Sequence, residues 1–350
     1  MALKCELIVS SNTPHLQQLY TGFSMLHKSG IIKLEQTIKP IIKEGNSTLY
    51  NDDYLIVIIN NKTLFYDIHD SDEIDLDNLS SCDFYFKRSY SQNKINTLKK
   101  YQSKIFPLGL NYEVLPNHVD YFAIKRNWFF CKSIDRLKHT IKTLDAHNIL
   151  HFSEREKYLQ NLPEPELPPK IIFMTRTWNP YDKIRKDSKV KERVEINDMR
   201  AACINELRRE FKDDFFGGFM HTSYAKENYP EALLEHNYFS KKSNYIDMLR
   251  HYPICISTTG LHSSIGWKFA EYVAFSKAII TEKLNFETTG SLSVGSNYLE
   301  FSDLNSCLEA AHSLFTDKDL RSLLMKNNAL YYHKHLKPDQ LILQTILHAL

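Results

Sequence analysis

The residues best suited to chemistry lie in one run of this 350-residue chain, Ile254 to Glu282. It reads Ile-Cys-Ile-Ser, then Thr-Thr-Gly-Leu-His-Ser-Ser-Ile-Gly, then Trp-Lys-Phe-Ala-Glu-Tyr-Val-Ala-Phe-Ser-Lys, then a second apolar run. The pattern predicts a strand, a hydroxyl-rich loop, a helix from about Gly266 to Ser276, and a strand over Lys277 to Thr281. A loop between the carboxyl end of a parallel strand and a helix N-terminus offers backbone N–H groups and the positive end of the helix dipole to an anion. Ser257, Thr259, Gly260, His262, Ser263, Ser264 and Gly266 make up the polar part of that turn, and small residues there let a phosphate come close. Lys268 adds a cation in the first helical turn. Glu271, three residues on, could accept hydrogen bonds from the two hydroxyls of a ribose. The same Lys268/Glu271 spacing also suits a weak surface ion pair, and His262 alone also suits an ordinary loop histidine.

Such a turn needs a parallel sheet behind it. The strongest punctuation in the chain is Leu162-Pro-Glu-Pro-Glu-Leu-Pro-Pro-Lys170, a stiff extended connector. Residues 1–162 are expected to form one domain, 163–170 the linker, 171–337 a second domain, and 338–350 a last helix packing back on the first domain. In the first half, strand-like runs at Glu6–Ser10, Ile31–Leu34, Tyr54–Ile59, Leu64–Asp67, Asp83–Phe86 and Lys104–Pro107 accompany a helical pattern over His15–Lys28. In the second, Lys170–Thr175 and Ile254–Ser257 read as strands, while Ile196–Phe211, Asn244–His251, Leu304–Phe315 and Lys318–Leu336 read as helices. Alternating units on both sides of a linker predict an α/β protein with two Rossmann-like, doubly wound, mostly parallel sheets.

Composition narrows the partners. A formal charge of +2, from 44 basic and 42 acidic residues, argues against nucleic acid as a partner. Ten glycines exclude glycine-rich architectures and make their clustering informative; Gly260 and Gly266 bracket the loop expected to approach a phosphate. Six cysteines occur without a CxxC pair, and the opening MALKCELIVS has no apolar run of signal-peptide length, so a reduced, cytoplasmic chain is expected. No metal is expected: Asp70-Ser-Asp72 and Asp75-Leu-Asp77 have the DxD form of some metal sites but also suit solvated acidic loops. The basic run Lys183 to Arg193 reads as a mobile solvated loop, or as a contact for an anionic acceptor or membrane headgroups.

Lys268-Phe-Ala-Glu-Tyr-Val-Ala-Phe-Ser-Lys-Ala-Ile-Ile280 resembles the nucleotide-sugar helix motif of GT-B glycosyltransferases, with a C-terminal domain like that of families 1 and 4. The flanks Tyr245–Ser257 and Asn297–Asp303 resemble that family's neighbouring units in the same order, so the likeness spans about 100 residues, mostly 244–335. The resemblance implies two Rossmann-like domains with a cleft between them. It also implies a nucleotide-diphosphate sugar as donor substrate with no further cofactor, a donor site in the C-terminal half, and a glycan or lipid-linked hydroxyl as acceptor, as in bacterial polysaccharide biosynthesis. By the same likeness Glu271 holds the donor ribose, the 257–266 loop and Lys268 face the diphosphate, and Arg176, after the second domain's first strand, neutralises the leaving group; Lys183 is a less secure match. Peripheral contact with the inner membrane face is compatible with this reading.

One departure bears on stereochemistry. Many retaining members carry a second Glu eight positions before the ribose-binding one, and Ser263 stands there instead. The outcome stays open, and an inverting reaction requires a base in the first domain. Asp67 and His69, in Tyr66-Asp-Ile-His-Asp-Ser-Asp72 after a predicted strand, are the candidates. A nucleotide-sugar 2-epimerase of the same shape and a non-catalytic nucleotide-sugar-binding partner are the alternatives.

Overall fold

Alternation sets the first strand: in Leu3–Val9 (β1), Cys5, Leu7 and Val9 face a core while Lys4 and Glu6 do not. In the computed structural model, which describes residues 2–42, 49–50, 53–145, 147, 149–150 and 154–350, β1 pairs in parallel with Ile32–Ile38 (β2). Ile41–Ile42 (β3) and Leu49–Tyr50 (β4) form a small antiparallel pair. Tyr54–Ile59 (β5) and Lys62–Asp67 (β6) follow, then Phe84–Lys87 (β7) and Ile105–Pro107 (β8), giving a six-stranded sheet in the order β2-β1-β5-β6-β7-β8. The sheet is mostly parallel, as expected, with one strand reversed. β5 runs antiparallel to both β1 and β6. The cause is the two-residue turn Asn60-Asn61, whose φ values of 48° and 59° are those of a tight hairpin.

Gln17–Lys28 (α1) covers the sheet with Leu19, Tyr20, Phe23 and Leu26. Leu76–Ser81 (α2) and Gln92–Thr97 (α3) are short and capped by Asp75 and Ser91. Tyr121–Phe130 (α4) and Ser133–Leu144 (α5) pack on one another. They lie in a stretch where the sequence suggested no elements.

The second sheet is wholly parallel. Ile171–Thr175 (β9) is buried throughout, and Phe215–Phe219 (β10), Ile254–Ser257 (β11), Ala278–Glu282 (β12) and Tyr298–Phe301 (β13) complete the order β10-β9-β11-β12-β13. Asp187–Phe211 (α6) buries Cys203, Ile204, Leu207 and Phe211 against one face of this sheet. Because α6 starts at Asp187, most of the basic run 183–193 is helical, not a loop; its side chains project from the first two turns without breaking the backbone ladder. Ser223–Asn228 (α7), Lys242–His251 (α8) and Trp267–Ala274 (α9) follow, with α9 against β11 and β12. Leu304–Thr316 (α10), opened by an Asp303/Ser306 capping box, joins α6 on its face. Lys318–Tyr331 (α11) runs into a π-helical segment, Tyr332–Leu336, and then Pro338–Leu347 (α12).

The chain divides into two compact units: Met1–Gln160, Asn285–Ser291 and Tyr331–Leu350 in the first, Asn161–Leu284 and Leu292–Leu330 in the second. Residues 285–291 and 331–337, expected in the second domain, thus belong to the first. Glu287 N donates to Tyr90 O, Tyr331 OH to Thr289 O, and Tyr332 OH to Glu156 Oε1. In the first unit α12 lies across α1 at very close range. A Cβ on Gly22 would sit 2.3 Å from Pro338 O, so only glycine fits the crossing. Gln18 Nε2 to Leu336 O at 2.9 Å and Tyr66 OH to Thr345 Oγ1 at 2.7 Å fasten the same end of the chain.

Candidate functional site

Strand order locates the site in the second unit. From β9 the chain first adds β10 on one side, then returns to place β11 on the other. In a parallel α/β sheet, the carboxyl ends of two such strands leave a crevice between them where ligands bind. Arg176 follows β9, and Thr258 and Thr259 follow β11, so the predicted residues of both runs meet at this switch point.

Arg200 ties the two strand ends together. This α6 side chain is buried; its Nε donates to Thr258 Oγ1 at 2.8 Å, Nη1 to Arg176 O at 2.8 Å and Nη2 to Thr259 O at 2.9 Å. Burial pushes its guanidinium down to about 10, while Glu282 opposes and Arg176 adds to the fall. Glu282 accepts from Thr259 N at 2.7 Å and Thr259 Oγ1 at 2.8 Å. Neither Arg200 nor Glu282 stands out in sequence, because each lies more than twenty residues from the group it holds.

The loop between β11 and α9 runs from the strand to the Gly266 cap of the helix, as expected. Ser257 and Ser264 are buried, and Gly260 N donates to Ser264 O at 2.8 Å. The left-handed positions are His262 and Ser263, with φ of 58° and 55°, both exposed. Gly260 and Gly266 have negative φ, and a Cβ on Gly266 would make only an ordinary 3.7 Å contact with Thr258 O. A Cβ on Gly260 would lie 2.8 Å from Ser264 Oγ, so the absence of a side chain there lets the loop close on itself. His262 N is held by Glu192 Oε1 at 2.8 Å.

Lys268 and Glu271 do not form the surface i,i+3 ion pair that was the alternative to a ligand-binding role. Glu271 is buried and accepts from Lys242 Nζ, at the start of α8. Lys268 places its Nζ 3.7 Å from the centroid of the Tyr245 ring, also on α8. Burial lowers its ammonium to about 8, Glu271 opposing and Lys242 and Arg176 reinforcing the shift. Arg176 is exposed and lies 4.1 Å from the Trp178 ring centroid. Trp178 is itself anchored by Asn197, which accepts from Trp178 N at 2.9 Å and donates to its carbonyl at 2.8 Å. Lys242 thus meets the buried Glu271 carboxylate, and Lys268 feels the charges of Glu271, Lys242 and Arg176; sequence reading missed Lys242 and Tyr245, brought in by the fold of α8.

Asp67 and His69 lie in the first unit, at the end of β6. Asp67 is buried and accepts from Lys87 Nζ at 2.9 Å, from Tyr85 OH, and from His69 N at 3.0 Å; His69 Nδ1 lies 2.9 Å away. Burial would raise its pKa, but His69, Lys87 and Tyr85 together hold it below the usual carboxylate range. So engaged, Asp67 is poorly suited to take a proton itself, whereas His69 is almost half exposed and oriented by it. Of the DxD runs, Asp70 pairs with Arg88 and Asp75 caps α2.

No family model and no curated protein matches the chain. Among solved structures it is similar to a putative UDP-N-acetylglucosamine 2-epimerase from Listeria monocytogenes, at 11% identity over 100% of this chain and 96% of that one, with a TM-score of 0.42. It is also similar to Anabaena Alr3699/HepE in complex with UDP-glucose, at 8% identity over 99% and 100%, TM-score 0.38. The C-terminal domain of a Francisella tularensis glycosyl transferase group 1 family protein aligns at 14% identity over 51% of this chain and 95% of that one, TM-score 0.32. At these identities the likenesses concern the outline of the fold alone.

Proposed function

We propose that the chain is a glycosyltransferase that moves a sugar from a nucleotide-diphosphate sugar to a hydroxyl of a glycan or lipid-linked acceptor, without an essential metal. The observation that supports this reading is a switch point between β9 and β11 of an all-parallel sheet, with Arg176 directly after β9, Lys268 and the buried Glu271 on the helix that follows β11, and Arg176 and Glu271 both acting on the Lys268 charge. Glycosyl transfer leaves a nucleoside diphosphate with growing negative charge, and fixed cations at the leaving group stabilise that charge in the transition state. In this reading Arg176 and Lys268 take the diphosphate, with Arg200 a positioning residue that holds both strand ends. Glu271 accepts from the ribose hydroxyls, sharing its carboxylate with Lys242. His69, oriented by Asp67, is the proposed base for the acceptor hydroxyl.

Turnover of a panel of nucleotide sugars, with and without hydroxyl acceptors, tests the activity. Release of nucleoside diphosphate that depends on acceptor supports transfer. Interconversion of the donor sugar without any acceptor would replace it with epimerisation, and binding without turnover of either kind would leave a binding protein.

A further inference from the structure

Nine of the large apolar side chains exposed in this protein fall within residues 121–150. On α5 they form a stripe: Ile134, Leu137, Ile141 and Leu144 recur at helical spacing and all point to solvent, Ile134 being 86% exposed. Trp128 and Phe129 of α4, which packs on α5, are exposed beside them. The opposite faces of the same helices are polar and turned inward, where Asn127, His139, Lys142 and Thr143 border a cavity of about 100 Å³. An amphipathic pair whose apolar side faces water needs a partner.

Charge identifies the partner. The segment 121–150 carries six Lys or Arg against two Asp, while the rest of the chain has a slight acidic excess. Two of the six are neutralised from outside the segment, Arg126 by Asp120 and Lys142 by Glu113 and Glu154. Lys125, Lys132 and Lys138 remain exposed around the stripe, with Arg136 over the Trp128 ring at 4.7 Å. Asp135 is the acidic group exposed on α5, and Asp145 caps the backbone at Ile149 and Leu150. Apolar residues on one face, an interfacial tryptophan and surrounding lysines are what an anionic bilayer surface attracts. We propose that α4 and α5 form a membrane-docking surface that seats on anionic phospholipid, with the apolar stripe entering the headgroup boundary. This goes beyond the proposed transfer activity and stands without it.

Flotation of the full chain with vesicles of phosphatidylcholine, alone or mixed with phosphatidylglycerol, tests the proposal. The chain should float with the mixed vesicles, and less so at high salt. Ile134→Ser and Leu137→Ser should each weaken partitioning by roughly tenfold. Lys132→Ala and Lys138→Ala should each weaken it by roughly fivefold. The far-ultraviolet dichroism of these variants, and any nucleoside diphosphate binding, should stay as in the parent, because the substituted groups are exposed. Failure of the parent to float with anionic vesicles overturns the proposal, as does flotation that survives the substitutions. A dimer in sedimentation that Ile134→Ser disperses also overturns it, by making a second copy the occupant of this face.

Discussion

Lys242 donates to the buried carboxylate of Glu271 across twenty-nine residues of sequence, from the first turn of one helix to the middle of another. A carboxyl group held this far from water is costly to bury unless a partner meets it. Lys242→Ala removes that partner and should lower stability by about 2 kcal/mol, since Lys242 itself is partly solvated. Thermal or urea unfolding measures it; an unchanged midpoint would mean that the pair is dispensable.

Lys268 links binding to pH. Its ammonium, lowered to about 8, loses its proton in the folded protein well before a free lysine would. Stability therefore rises slightly between about pH 8 and 10.5, where the unfolded chain still holds the proton that the folded one has released. Binding of a nucleoside diphosphate should move the other way, weakening as pH climbs through 8. Titrations at pH 7.5 and 9 should differ, and Lys268→Met should abolish most of the difference. A flat profile in the parent protein removes Lys268 from the phosphate site.

Arg200 makes three hydrogen bonds that no shorter side chain can reproduce. Arg200→Ala leaves two carbonyls and a threonine hydroxyl without this donor and should cost about 3 kcal/mol in unfolding experiments. As a positioning residue it should also weaken nucleoside diphosphate binding, with Arg200→Lys recovering stability in part and affinity little.

In the first unit, Asp67 supports stability at neutral pH that fades as pH falls below about 4, because its folded pKa lies beneath its ordinary value. Lys87 stays protonated throughout that range in both states and does not reverse the trend. Asp67→Asn strands the fully buried Lys87 ammonium and should cost about 3 kcal/mol at pH 7 while flattening the acid limb of the stability profile. His69→Ala should spare nucleotide binding and reduce acceptor-dependent turnover, and should cost a little stability at neutral pH because one of the groups holding the Asp67 pKa down is lost.

Much of the second unit was legible because its signals are local. Apolar runs at 171–175, 254–257 and 278–282 specify strands buried on both faces, and the loop between β11 and α9 follows from its hydroxyl residues. What escaped were relationships created by packing. Lys242, Arg200 and Glu282 reach the site through the fold, and a pair at i,i+3 such as Lys268 and Glu271 looks self-sufficient until each finds a better partner on α8. In the first unit, the Asn60-Asn61 turn lacks the glycine that usually announces a tight hairpin, so the antiparallel β5 passed for another parallel strand. Gly22 shows the same limit: nothing local reveals that Pro338 will lie against it.

The central claim is that the switch point of the second sheet binds a nucleoside diphosphate through Glu271 on the ribose and cations on the phosphates. Calorimetric titration of the parent and Glu271→Ala with a panel of nucleoside diphosphates and with inorganic pyrophosphate measures this directly. At least one nucleoside diphosphate should bind saturably, roughly tenfold or more weakly to Glu271→Ala, with pyrophosphate affinity not reduced. No binding by any nucleoside diphosphate, or equal binding by both proteins, would contradict it.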